Sequence, residues 1–232
     1  MIGYDNLPLN YGLLLDLTMR ENTGLFTYDR AKPHHIMTLH GTPAWASLAL
    51  NDLSYLDFNQ INPDWLDCPQ ADTVDLDFTT EDFSIAMWIN MDAVGQGSLI
   101  CRCSDTLPVD GWAMYVGMND VIGVVTVAAG PARDYTASAI NTIVVGTWQL
   151  IGMTKNGTSV RVYSNGIDVS ETIGVHEDIL TSNHELHIGI DNDETTLDYD
   201  GQMWRPRIWG SRALTAVEHR QIFTLERQLF GV

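Results

Sequence analysis

The chain has 232 residues and a formal net charge of −18, from 12 Lys and Arg against 30 Asp and Glu, a balance that disfavours nucleic acid and anionic membranes as partners. Apolar residues make up 45% and include seven Trp, ample material for a core, while no long uncharged apolar run offers a membrane span. The length fits one large or two small domains, and all-β sandwiches often fill it as one unit.

The opening MIGYDNLPLNYGLLLD lacks a basic n-region and a sufficient apolar stretch, so it does not read as a signal peptide. Tyr11–Leu17 reads as a first strand, running into a loop through Asn22, Thr23 and Gly24. In Phe83–Ile89, Phe83, Ile85, Met87 and Ile89 alternate with Ser84, Ala86 and Trp88, the pattern of a strand buried on both faces. Ser98–Cys103, Trp112–Met118 and Val121–Ala128 are further strands, with turns at Gly95–Gly97 and Pro108–Gly111. Cys68, Cys101 and Cys103 cannot all pair within one chain. Cys101 and Cys103 alternate on a strand, so both thiols face one side and a bond between them is geometrically awkward. Buried, reduced thiols are expected, and no CxxC metal spacing is present.

Trp148–Thr172, WQLIGMTKNGTSVRVYSNGIDVSET, reads as three short strands joined at Asn156-Gly157 and Asn165-Gly166, since Asn-Gly favours the positive φ angles of a type I′ turn. Between the turns Val160 and Val162 share one face, Arg161 and Tyr163 the other. His184–Ile190 is a strand, Asp191–Asp200 an acidic loop and Gly201–Trp209 a last strand. Thr215 and Glu218 make a capping-box pattern that starts a helix. The helix runs to about Leu229, with Ile222, Phe223, Leu225 and Leu229 as its apolar stripe. Residues 203–232 carry five Arg against Glu218 and Glu226. This basic tail either clamps its own acidic body, or a neighbour's, or is simply a few solvated arginines.

Several strings resemble one family. The hairpin WQLIGMTKNGTSVRVYSNG is similar to the central hairpin of the laminin-G-like and pentraxin-like jelly rolls, within the concanavalin A-like lectin/glucanase group. DFSIAMWI at 82–89, the stretch from Tyr28 to Trp45 with its His40-Gly41, Tyr55–Phe58 and the closing RIWGSRALT at 207–215 resemble further family signatures. The chain departs from the pattern at Gln60, where glycine is usual, and at Trp204-Arg205, where the family has an Asp-Glu pair. The resemblance covers roughly residues 12–223. It implies an all-β, two-sheet antiparallel jelly-roll sandwich, a single domain over 1–232 with a short C-terminal helix at 215–229 packed on it.

The resemblance also implies recognition of a glycan or protein surface and not turnover. Relatives that hydrolyse glycans carry an E-x-D-x-x-E run that puts two glutamates on one strand face, and none is present. Calcium is the family's ligand, and Asp191, Asp193, Asp198 and Asp200 form the densest oxygen cluster for it. His34 and His35 point apart, and His184 and His187 lie on opposite faces, so packed histidines are expected, not a zinc site. Sugar binding needs exposed aromatic platforms beside polar groups. Trp65, Trp112, Tyr135 and Tyr199, in or near loops, are the candidates, while Trp88, Trp148 and Trp209 are assigned to the core. Free-standing relatives of this kind are familiar as structural proteins of phages and viruses. The expectation is therefore a surface-exposed decorating or adhesion component of a larger particle such as a virion, present there or extracellularly after release. Assembly as a homo-oligomer would use Arg205, Arg207 and Phe230 as the contact. The alternative is a calcium-assisted lectin acting on its own.

Overall fold

The period-two alternation along the chain becomes strands in a computed structural model, which describes residues 4, 7–61, 63–104, 110–128, 133–193 and 197–232. In chain order come β1 (Leu13–Asp16), β2 (Phe26–Tyr28), β3 (Ile36–His40), β4 (Ala44–Ser47), β5 (Ser54–Phe58) and β6 (Trp65–Cys68). The middle of the chain forms β7 (Phe83–Met91), β8 (Gly97–Ser104), β9 (Asp110–Gly117), β10 (Val121–Val127) and β11 (Arg133–Ser138). Then follow β12 (Gln149–Asn156), β13 (Ser159–Ser164), β14 (Ile167–Asp168), β15 (Ser170–Thr172), β16 (Leu186–Ile188) and β17 (Gly201–Gly210). The one α-helix among the described residues, α1 (Ala216–Glu226), ends the chain with a further 3-10 turn.

Two antiparallel sheets result, as expected of a jelly-roll sandwich. One runs β14-β13-β12-β7-β17-β5-β4, with β1 also on β17. The other runs β15-β11-β10-β9-β8-β16-β6-β3-β2. Both feed one apolar cluster. Phe83 of β7 lies 5.6 Å from the ring of Trp112 on β9, so the expected doubly buried strand does sit at the centre of its sheet and faces the other across the core. Trp88, Trp148 and Trp209 are buried as assigned. At Asn165-Gly166 both residues have positive φ, as a type I′ turn requires. At the first turn the last ladder pair is Asn156 with Ser159, and of the loop residues Gly157 alone has positive φ, the place a type II′ turn gives to glycine. The expected third strand divides: β14 stays beside β13, and β15 crosses to β11 of the other sheet.

The Thr215–Glu218 capping box forms as read, with reciprocal bonds between side chain and backbone. The helix it starts lies across the outer face of the eight-stranded sheet. Gly152 permits this approach, because a Cβ there would stand 2.9 Å from the imidazole of His219. His219 stacks 3.9 Å from the Tyr163 ring and bonds Thr154 Oγ1 at 2.9 Å. Ile222 and Phe223 are buried, whereas Leu225, expected in the apolar stripe, faces solvent at 60% exposure.

The three residues expected to contact a larger assembly are turned inward. A bulge in β17 gives Arg205 a φ of 54° and swings its guanidinium onto Asp16 at 2.8 Å and Glu226 at 2.7 Å. Arg207 is buried and bonds both Glu226 oxygens at 2.8 and 2.9 Å. Phe230 packs its ring 4.2 Å from Trp88 and 4.6 Å from Trp148. The basic tail therefore clamps its own sandwich, because its acceptors and apolar partners are on the helix and on the sheet beneath it.

Candidate functional site

With α1 laid over one sheet, the open surface is the outer face of the nine-stranded sheet. The core takes Met37, Leu39, Leu66, Ile100, Trp112, Met114, Val124 and Ile188 from its strands, so their alternating neighbours project outward. Ladder pairing joins these neighbours into an unbroken row. Phe26 opposes Thr38, Thr38 opposes Asp67, and Asp67 opposes His187. His187 then opposes Cys101, which is followed by Ala113, Val125 and Tyr135.

A groove crosses the β8–β11 half of this face. It has two lobes, of about 220 and 350 Å³, which share Gln96 and Tyr115. The smaller is lined by Cys103, Arg133 and Asp191, the larger by Tyr135, Asn119 and Glu171. Tyr115 forms the ridge between them. Its cross-strand partner is Gly123, and a Cβ there would stand 2.7 to 3.1 Å from the ring carbons, so the glycine lets the phenol ring lie flat across β10. The Tyr135 ring follows at 6.5 Å, inclined by only 29°. Two half-buried aromatic faces thus stand in line, flanked by one cation and several amide and carboxylate groups. This is the chemistry that takes up a pyranose ring, which stacks on an aromatic face and bonds at its edge.

At the floor of the smaller lobe Cys101, Cys103 and Asp191 meet, all buried. The Cys101 thiol is pulled down to about 7 by its hydrogen bond with Cys103, and by His187, against the burial that would raise it. All three cysteines are outside any disulfide and buried, as expected. Opposite in the sheet, Trp65 stacks 4.9 Å from His40, whose Nε2 lies 2.8 Å from Asp67 Oδ1.

Of the four aromatic candidates, two reach this face and two do not. Trp65 and Tyr135 lie on it, each on a strand and not in a loop. Trp112 is 1% exposed, packed on Phe78 and Phe83, with its indole N–H donated to the Leu76 carbonyl. Its alternation on β9 points it into the core. Tyr199 is fully buried against Phe58 and donates its hydroxyl to the Gln202 carbonyl; burial holds that phenol well above its ordinary range. The aromatic ring that does stand on this face beside Tyr135 is Tyr115, hidden from sequence reading inside a regular strand.

The four loop carboxylates do not gather into an oxygen cage either. Asp200 turns to Gln60, whose Nε2 donates to it at 3.1 Å. Asp198 is pushed up by burial and by the nearby Asp193. Asp191 turns away to the thiols. Among the described residues the one group of three metal-binding side chains within reach of a common ion is Cys101, Cys103 and Asp191, and thiols are not calcium ligands. No helix among the described residues is long and apolar enough to cross a membrane.

A sequence profile described as the concanavalin A-like lectin/glucanases superfamily matches residues 68–218, more than half of the chain. The chain belongs to this superfamily. The match starts at the end of β6 and so covers less than the resemblance read from the sequence, leaving out the strands before it. As a laminin-G-like jelly roll, this member shares its fold with several solved structures. It superposes on the binding domain of paraclostridial mosquitocidal protein 1 with a TM-score of 0.72 at 15% identity, over 93% of this chain and 52% of that one. A structure of botulinum neurotoxin type C, whose cell entry depends upon interaction with two ganglioside molecules, gives 0.70 at 14% identity, over 94% and 52%. The binding domain of botulinum neurotoxin DC in complex with rat synaptotagmin II gives 0.68 at 14%, over 94% and 52%. This chain therefore spans about half the length of those structures. No characterised protein matches it by sequence.

Proposed function

We propose that this superfamily member is a non-catalytic glycan-binding module whose binding surface is the Tyr115–Tyr135 groove. The observation that carries the reading is the Tyr115 ring held flat over Gly123 on the one sheet face that α1 leaves open. Support comes from the superfamily's lectin members and from the binding domains among its structural neighbours. Catalysis is disfavoured because glycoside hydrolysis needs two carboxyls facing each other across the scissile bond, about 5–10 Å apart. The groove carboxylates Asp191 and Glu171 line different lobes. The particle-decorating role is a proposal about assembly, and its expected contact residues are engaged within the chain.

The test is a glycan array on the labelled protein, followed by calorimetric titration of the best oligosaccharide. Tyr115→Ala is expected to weaken binding about tenfold, the equivalent of ~1.4 kcal/mol. Gly123→Val is expected to give a similar loss while keeping the ring, because its side chain displaces the phenol from its seat. A protein that binds no glycan, or binds equally well in both variants, would contradict the reading, as would release of a cleaved product.

A further inference from the structure

The floor of the smaller lobe holds an arrangement that sugar binding does not call for. Cys101 and Cys103, two residues apart on β8, project to the same outer face. Asp191, three residues beyond β16, closes on them. One ligating atom from each, two sulfurs and a carboxylate oxygen, lies within 4.8 Å of the other two. We propose that Cys101, Cys103 and Asp191 form a binding site for a zinc-class divalent cation, with the remaining coordination position facing the groove.

The donor set selects the ion. Thiolates prefer zinc and similar borderline-soft metals, whereas calcium and magnesium take oxygen alone. Zinc–sulfur bonds of about 2.3 Å and zinc–oxygen bonds of about 2.0–2.2 Å in a tetrahedron place the ligands some 3.5 to 3.8 Å apart. The three groups need only close inward slightly to meet that geometry. Asp191 is held from behind, its Oδ1 accepting the Asn192 amide at 2.8 Å; the Cys101 thiol donates to the Ile190 carbonyl at 3.5 Å, a bond that metal binding replaces as the proton leaves. His187, directly across the ladder from Cys101 and buried, stands as an outer partner of the thiol pair. Cys103 and Asp191 line the groove, which supplies the route of entry and a place for water or a ligand oxygen in the fourth position.

The site is tested without sugar, so its result is independent of the glycan reading. The reduced, chelator-stripped protein is titrated with Co²⁺ and its absorption spectrum recorded. One equivalent should produce a near-ultraviolet sulfur-to-cobalt charge-transfer band with tetrahedral visible bands, abolished by one equivalent of Zn²⁺. Cys103→Ser and the near-isosteric Asp191→Asn should each weaken cobalt binding by more than about tenfold. Cys68→Ser, whose thiol belongs to the apolar core between the sheets, should leave the band unchanged. Absence of the charge-transfer band in the unsubstituted protein would overturn the assignment, as would a full signal in either Cys103→Ser or Asp191→Asn.

Discussion

Glu226→Ala is expected to destabilise the protein by about 3–5 kcal/mol, read as a fall in the urea midpoint at unchanged slope. Glu226 is 7% exposed and accepts four hydrogen bonds from three residues at once. Its Oε2 accepts the Trp88 indole N–H at 2.9 Å and Arg207 at 2.8 Å, while Oε1 accepts Arg205 at 2.7 Å and Arg207 at 2.9 Å. Removing the carboxylate leaves the Arg207 charge buried without its counter-ion, and deprives the Trp88 donor of its acceptor in the core. Such a loss exceeds the net value of the pair, because the cost is that of a stranded charge. The same change uncouples α1 from the sheet, so the Trp88–Phe223 contact at 5.9 Å should loosen with it. A loss below about 1 kcal/mol, the range of a surface pair, would show that α1 is held by its apolar contacts alone.

Three buried histidines should make stability depend on pH, two of them in acid and one above about pH 6.5. His176 and His219 are buried among hydroxyl partners. Burial lowers them to about 4 and about 3, with Arg207 adding to the effect on His219. Unfolding frees both to bind a proton below about 6.5, so the stability they contribute is present above that pH and lost as it falls. Two protons make a slope of about 2.7 kcal/mol per pH unit between 6.5 and the folded values. Asp16 extends the loss further into acid: burial pushes it up, but bonds from Arg205 and the charges of Arg205 and Arg207 outweigh this and hold it below its ordinary range. On the alkaline side His35 acts in the opposite sense. Burial works against its charge, yet hydrogen bonds to Asp29 and Asp75 raise it to about 9. Its contribution is complete below about 6.5 and disappears as pH rises toward 9, at about 1.4 kcal/mol per unit. Urea midpoints of the unsubstituted protein and of each variant, compared pH by pH, isolate these contributions from those of other buried groups such as the Cys101 thiol. The difference between the unsubstituted protein and His219→Gln should change as pH falls below about 6.5, and that with His35→Gln as pH rises from about 6.5 toward about 9; differences that do not vary with pH would refute the linkage.

Much of the sandwich is legible in local pattern. The alternation in Phe83–Ile89 marks the central strand, Asn165-Gly166 the turn between β13 and β14, and Thr215 with Glu218 the start of the only α-helix among the described residues. The strands missed are those where pattern is weak. WLDC at 65–68 and RDYTAS at 133–138 mix polar and apolar residues without a clean period, so Trp65 and Tyr135 read as loop aromatics. The site itself is harder to read, because a strand's alternation tells which residues share a face but not which face meets the core. Trp112 and Tyr115 are three apart on β9 and therefore lie on opposite faces, one in the core and one in the groove; nothing in WAMYV says which. The signal for Tyr115 is Gly123, useful only once the register of β9 with β10 is known. The thiols of Cys101 and Cys103 are visibly on one side from sequence. Their meeting with Asp191 depends on β16 docking beside β8, a contact between segments far apart in the chain that no local spacing encodes. The acidic loop misled for a related reason: closeness in sequence did not become closeness in space, since Asp191 and Asp200 leave it in different directions.

The most direct test of the central claim is a crystal structure of the protein with the oligosaccharide that the array selects. A sugar ring stacked on Tyr115, with its hydroxyls toward Arg133 or Gln96 and the glycosidic bonds intact, is the predicted result. A ligand seated on the Trp65–His40 edge or over α1 with the groove vacant, or a cleaved product, would contradict it.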